Sequence, residues 1–428
     1  MTHHGLKALG ASLLLTALLS PALADEGVTA WRLFVSDHER GVVSVVDPDA
    51  RETLASFDIH GPASLYRSDS GETVFAVQGA ADRVTAIASG ISFDDHGDHA
   101  DIEVEDARLL DVAFEGGKPS HFVEHGGDIA IFFDGDGRAM TTTERAILDG
   151  SAEVLEFDSG APHHGAAAAF ANHVLITEPH PEDPSNLPVG VRVLAMSGEA
   201  IGDLHECPDL HGEASTGNIM AFACAKGLLI VQSQNNQPHI EQLAYSDDLP
   251  EGKVTILIGG RGLQYFLGNY GASAVVLIDP MDDDAFRLVE LLTRRVHFAV
   301  DPIRAKFAYV FTEDGALHQI DVLAGKIVNT ASLTEPYSMD GHWSDPRPRV
   351  AVAGDHVVVT DPLAGKLHLV ERDGLEKAGE IEVEGKPFNI VSVGGTGAVD
   401  DDGDHDHEAS ASHDHAHEDD EAEEHRHD

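Results

Sequence analysis

The chain has 428 residues, with 75 Asp+Glu against 27 Lys+Arg, a formal net charge of −48, 27 His and only 2 Cys. An acidic surplus of this size repels phosphate backbones and anionic lipid headgroups, which argues against nucleic acid or a membrane surface as partner and makes cations the natural counterpart. With 42% hydrophobic residues the chain is nonetheless apolar enough to bury a large core.

Met1 to Ala24 has the form of a cleavable export signal: Lys7 in a short first region, an apolar stretch from Leu9 to Ser20, a break at Pro21, then Ala22-Leu23-Ala24. Cleavage after Ala24 makes Asp25 the first mature residue and, in a Gram-negative source, places the protein in the periplasm. The alternative, a membrane anchor, needs about 20 unbroken apolar residues. No later apolar run in the sequence reaches that length.

From Trp31 to Gly395 the chain is a succession of short apolar runs such as RLFVSD, TVFAVQG, HVLITE, AVVLIDP and HVVVTDP, separated by Gly, Asp, Asn and Pro. No helical period persists, so the fold class is all-β. The strands recur in units whose opening proline lies at Pro62, Pro119, Pro162, Pro208, Pro336 and Pro387, and two further units fit near Gln264 and His297. A period of 40–50 residues with four strands per unit predicts a single β-propeller over residues 30–395, eight-bladed, with seven blades as the alternative. The last unit, KPFNIVSVGG, has one strand only, while the first strands after the signal lack a unit start. The two ends are therefore expected to share one blade and close the ring.

Three segments stand apart from the repeats. Between the second and third units an insertion spans Ser92 to Asp111, with His96 and His99 among Asp94, Asp95, Asp98 and Asp101. Residues 94–105 are expected to be an exposed, flexible His/Asp-rich loop, either a transient divalent-cation site or a solvated acidic loop. Cys207 and Cys224 are expected to pair in an oxidising compartment, with two thiolate metal ligands as the competing reading. Residues 399–428 hold fourteen acids, one Arg and His405, His407, His413, His415, His417, His425 and His427, a solvated tail of the kind that binds Zn²⁺, Ni²⁺ or Cu²⁺ weakly.

In a propeller the innermost strands line a central channel. Aligning the units on their prolines puts Ser64, His121, His164, His211 (or Leu210), Ser338 and Asn389 at similar depth, with Gln264 and His297 from the proline-less units. Three consecutive blades then offer an imidazole to one small volume. Three neutral imidazoles with a carboxylate or water suit tetrahedral Zn²⁺. Glu213, Asp209 and Asp340 are the candidate carboxylates, and His163 and His125 compete for the inner positions.

The phrases KPSHFVEHGGDIAIFFDGDG, APHHGAAAAF and DDHGDHADIEVED, together with the export signal and the cysteine pair, resemble the AztD-type periplasmic zinc metallochaperones. The resemblance covers residues 30–395. It implies an eight-bladed propeller that holds Zn²⁺ in its channel, with His121, His164 and His211 on the matching positions, and that hands zinc to the solute-binding protein of a zinc ABC transporter. It implies no catalytic residues. Two other classes stay open: a zinc-dependent propeller hydrolase or lactonase, since three His and a water is also a catalytic arrangement, and a propeller scaffold whose only metal chemistry is a buffering tail. The chain lacks a C-x-x-C-H haem motif and a G-x-S-x-G nucleophile elbow.

Overall fold

The computed structural model describes residues 27–96, 100–151 and 153–398. The predicted export signal (1–24), His99 and the tail (399–428) lie outside the described residues. Eight four-stranded antiparallel sheets follow one another as blades of a ring, which settles the number of blades at eight. Seven of them are built in chain order from the inside outward. Their inner strands are Ser64–Arg67, Pro119–His125, Ala167–Phe170, Glu213–Thr216, Leu257–Ile258, Arg295–Val300 and Val350–Ala353, in blades 2 to 8.

Blade 1 closes the ring. Its inner strand is the last of the chain, Pro387–Gly397, paired with Val28–Asp37 in a register that runs from Val28 opposite Gly397 to Asp37 opposite Pro387. The two ends thereby cover each other's edge in a blade whose outer half is Val42–Asp47 and Glu52–Asp58.

Blade position explains the sequence pattern. Middle strands are covered on both faces by neighbouring blades, so Thr73–Gln78 and Ile219–Cys224 are buried throughout and read as unbroken runs. Outer strands face water on one side, and Lys326–Ser332 alternates exposed and half-buried residues. The core is accordingly divided among the blade interfaces. Phe75 and Phe114 of blade 2 pack on Phe122, Ile131 and Phe133 of blade 3, and the closing interface sets Val358, Leu367 and Leu369 of blade 8 against Leu33, Val46 and Ile390 of blade 1.

All inner strands run in the same direction, so the channel has a start face, where they begin, and an end face, where they finish. Two unit starts differ from the sequence alignment. Blade 6 opens at Leu257–Ile258, upstream of Gln264, which falls in the turn before Phe266–Asn269. A two-residue strand is too short to register as an apolar run. In blade 8 a long connection, 333–349, precedes Val350–Ala353, so Ser338 sits in that connection and Arg349 leads into the inner strand.

Within the insertion Ile91–Asp95 pairs with Ala100–Val104 as two antiparallel strands, and residues 97–99 between them lie outside the described residues. The strand pair extends from blade 2 on the end face and docks on the closing strand. Ile102 N–H donates to Ala398 O (2.9 Å) and Ala398 N–H to Ala100 O (2.8 Å). His96 Nε2 lies 2.9 Å from Asp101 Oδ2.

Candidate metal centre

Three imidazoles meet at the start face. His121 is the third residue of the blade 3 inner strand, while His164 and His211 stand in the connections that enter blades 4 and 5. Their ring centroids are 4.8 Å apart for His121 and His164, 5.2 Å for His164 and His211, and 6.3 Å for His121 and His211.

The glycine after each connection histidine has a packing reason. A Cβ on Gly165 would lie 2.4 Å from His163 Nε2 and 2.5 Å from Thr177 Oγ1. Gly212 has φ +96° and a Cβ there would lie 2.7 Å from Thr255 O. The connection bearing His211 is also fixed covalently. The Cys207–Cys224 disulfide ties it to the second strand of blade 5, and His211 N–H donates to Ala223 O (3.0 Å). In the chain-entropy view such a cross-link stabilises by about 3 kcal/mol. The two cysteines are therefore structural and not thiolate ligands.

Each ring is oriented through Nδ1. His121 Nδ1–H donates to Glu213 Oε1 (2.7 Å), His164 Nδ1–H to Asp134 Oδ2 (2.8 Å) and His211 Nδ1–H to Thr255 O (2.7 Å). Carboxylates and carbonyls only accept, so these partners fix the tautomers. Each neutral ring keeps its lone pair on Nε2, and those of His121 and His164 face each other. The partners are themselves held. Ser120 Oγ–H donates to Asp134 Oδ1, and Asn269 Oδ1 accepts from the N–H groups of Thr255 (2.8 Å) and Ile256 (2.7 Å).

The consequence is sharpest between His121 and His164, whose Nε2 atoms are 3.3 Å apart. With both Nδ1 atoms protonated, two lone pairs face each other, an arrangement that needs a proton or a cation between them. Two nitrogens bound at about 2.0–2.1 Å to one tetrahedral ion are about 3.3–3.4 Å apart. The His121–His164 pair therefore has the spacing of two ligands on one Zn²⁺. Glu213 Oε2 is buried with no hydrogen-bond partner among the described residues, an acceptor that a cation or a water would satisfy.

The electrostatics agree. Burial opposes a charge on His121, but Glu213 and Asp134 outweigh it and raise its pKa. Burial alone would raise Glu213 and Asp134, yet His121 and His164, the rings they respectively hydrogen-bond, hold both below the usual carboxylate range. His211, paired with a carbonyl, is pushed down by burial and stays neutral further into acid.

The other candidates are elsewhere. His163 is buried, donates through Nδ1 to Ala161 O (2.8 Å) and accepts Thr177 Oγ1–H at Nε2 (2.9 Å), so both nitrogens are used. His125 closes the same strand as His121 but stacks on Phe170, with centroids 5.0 Å apart. His297 accepts Val350 N–H at Nδ1 (3.0 Å) on the far side of the ring of blades. Of the three carboxylates only Glu213 reaches the cluster. Asp209 pairs with Lys253 (3.5 Å) and Asp340 with Arg294 (2.8 Å). His96 is at the end-face strand pair, away from the cluster.

Asp134 and Thr255 escaped the sequence reading. Asp134 opens the FFDGDG turn, a composition that signals only a turn, and Thr255 acts through its carbonyl, which no side-chain pattern reveals. A cavity of about 810 Å³ opens on the end face. Its charged lining is Arg67, Arg261 and Arg372 beside Asp49, Asp69 and Asp355, without an imidazole. The three imidazoles therefore lie at the start face, apart from this cavity.

Fold and cluster define the class: an eight-bladed β-propeller whose channel mouth gathers three carboxylate- and carbonyl-oriented imidazoles. The chain is 52% identical over 388 residues to a zinc chaperone, AztD, of Citrobacter koseri, covering 91% of this chain and 92% of that protein. It matches the crystal structure of Citrobacter koseri AztD with a TM-score of 0.86 at 52% identity, and the apo structure with 0.84 at 50%, each over 87% of this chain and all of the other. The chain belongs to the AztD zinc chaperone family. A dihydro-heme d1 dehydrogenase, NirN, matches at TM-score 0.53 and 12% identity, which shows the fold alone. No protein-family model matches the chain.

Proposed function

We propose that this protein is a zinc metallochaperone that holds Zn²⁺ among His121, His164 and His211 and passes it by direct ligand exchange to the solute-binding protein of a periplasmic zinc ABC transporter. The observation that carries the reading is the pair of fixed Nε2 atoms 3.3 Å apart, each with its other nitrogen committed to a carboxylate. The relative named as a zinc chaperone supports it.

Zinc displaces the proton that the raised His121 otherwise takes up, so binding and proton release are linked. The export signal delivers the chain to the periplasm, and the body ends in a His-rich tail. That tail and the His96–His99 segment collect metal weakly, while the channel site holds it. Glu213 and Asp134 keep the rings oriented during exchange, so an incoming ligand replaces one imidazole at a time. No helix among the described residues is long and apolar enough to cross a membrane.

To test it, the protein is loaded with one zinc equivalent and mixed with the apo solute-binding protein plus excess chelator. The acceptor is expected to gain zinc faster than the chelator captures it. Equal rates would rule out direct transfer. Turnover of ester, lactone or phosphoester substrates by the zinc-loaded protein would move the reading to the hydrolase class.

A further inference from the structure

The two carboxylates that orient imidazoles are not equivalent. Glu213 forms an ion pair with His121 and, among the described residues, with no lysine or arginine. Asp134 is shared. Its Oδ1 accepts Ser120 Oγ–H and Gly165 N–H (3.4 Å), and its Oδ2, which accepts His164 Nδ1–H at 2.8 Å, also lies 3.5 Å from Lys118 Nζ. The side chain of Asp134 is 4% exposed and that of Lys118 is 67% exposed. An ammonium thus reaches in from solvent to a buried carboxylate that already serves a ring of the cluster.

The backbone of Lys118 is held against its local preference. Its φ is +51°, a left-handed value that a lysine adopts where neighbouring contacts impose it. Here Lys118 N–H donates to Asp82 Oδ1 of blade 2 (2.8 Å), and Lys118 O accepts Asp134 N–H (3.0 Å). A glycine would meet the same turn without strain, so the turn by itself gives no reason for a lysine. The contact with Asp134 does. A carboxylate that accepts from an imidazole makes that ring a better metal ligand, and a second cation on the same oxygen takes back part of the effect. At 3.5 Å from the oxygen, and with 2.8 Å from there to the ring, the ammonium is also near enough to repel a dication bound at His164.

Resting on the proposed zinc site and hand-over, we propose that Lys118 is a positioning residue that loosens His164: by sharing Asp134 it lowers zinc affinity and speeds zinc release. His164 is the more exposed of the two carboxylate-held rings, its side chain at 39% against 19% for His121. The loosened ligand is therefore also the one more open to an incoming group. A carrier needs its metal bound but exchangeable, and a lysine on the orienting carboxylate sets that balance without ligating the metal.

The test measures zinc affinity by chelator competition, and the zinc dissociation rate, on the full-length protein. Lys118→Met, which keeps the methylenes and removes the charge, is expected to bind zinc about threefold to tenfold more tightly and to release it more slowly by a similar factor. Lys118→Gly, which accepts φ +51° without strain, is expected to do the same, and Lys118→Arg, which restores the charge, to stay within about twofold of the unaltered protein. In an Asp134→Asn background the gain from Lys118→Met is expected to disappear. Unchanged or weaker binding by both Lys118→Met and Lys118→Gly makes the lysine a brace for Asp134 and overturns the proposal. A gain as large in Lys118→Arg, or one that persists in full beside Asp134→Asn, overturns it too. These outcomes are read on affinity and are separate from the hand-over: if the unaltered protein does not outpace the chelator in transfer while Lys118→Met still tightens zinc, the functional reading falls and the role of Lys118 at the site stands.

Discussion

His121 and His297 hold the same place in two different blades. Each is the third residue of its inner strand, each follows a register irregularity, and each lies opposite a phenylalanine, Phe132 and Phe311. Their chemistry is opposite. His121 donates from Nδ1 to Glu213, and the carboxylates around it raise its pKa despite burial. His297 accepts Val350 N–H at Nδ1, and burial with Arg349 and Arg295 drives its pKa well below the ordinary imidazole value. The first has an Nε2 lone pair to give; the second carries its proton on Nε2 and has none. A repeat fold delivers an imidazole to a given depth, but the groups it meets from other blades decide which nitrogen keeps a lone pair.

The comparison is broken most directly by removing the histidine between the other two. His164→Ala is expected to cost on the order of a hundredfold to a thousandfold in zinc affinity, one ligand's share of a site worth roughly 10–16 kcal/mol, measured by competition with a chromophoric chelator. Next come the carboxylates. Asp134→Asn and Glu213→Gln keep the shape but weaken the hold on Nδ1, and each is expected to lower affinity about 10- to 100-fold while the protein stays folded. Smallest is His297→Ala. Zinc affinity is expected to stay within about twofold, and the loss to appear as about 1–3 kcal/mol of stability, because Val350 N–H is left without its acceptor. A large affinity loss there, with none at Asp134 and Glu213, would reverse the assignment of the two sides.

Much of this was legible beforehand. Continuous apolar runs for covered strands, the recurring prolines and the orphan strand at the C-terminus were enough for eight blades and their closure. The alignment also put His121, His164 and His211 at one depth, where the structure brings them together. What the sequence could not carry were contacts made across blades. Asp134 looks like a turn residue until the fold sets it against His164, and Glu213 differs from Asp209 and Asp340 only in reaching a ring. The two-residue inner strand of blade 6 and the long connection before blade 8 were lost for a related reason. The period of a repeat is visible in sequence, whereas an interruption of it is held by isolated contacts such as those of Asn269 and Arg347.

The central claim, that the channel imidazoles and not the His-rich tail hold the tightly bound zinc, is tested most directly by X-ray absorption on protein lacking residues 399–428 and loaded with one zinc equivalent. All eight blades remain in that chain. The account predicts zinc retained through exhaustive dialysis, with imidazole multiple scattering from three nitrogens at about 2.0–2.1 Å. Loss of zinc on dialysis, or a shell of oxygens without imidazole scattering, would contradict it.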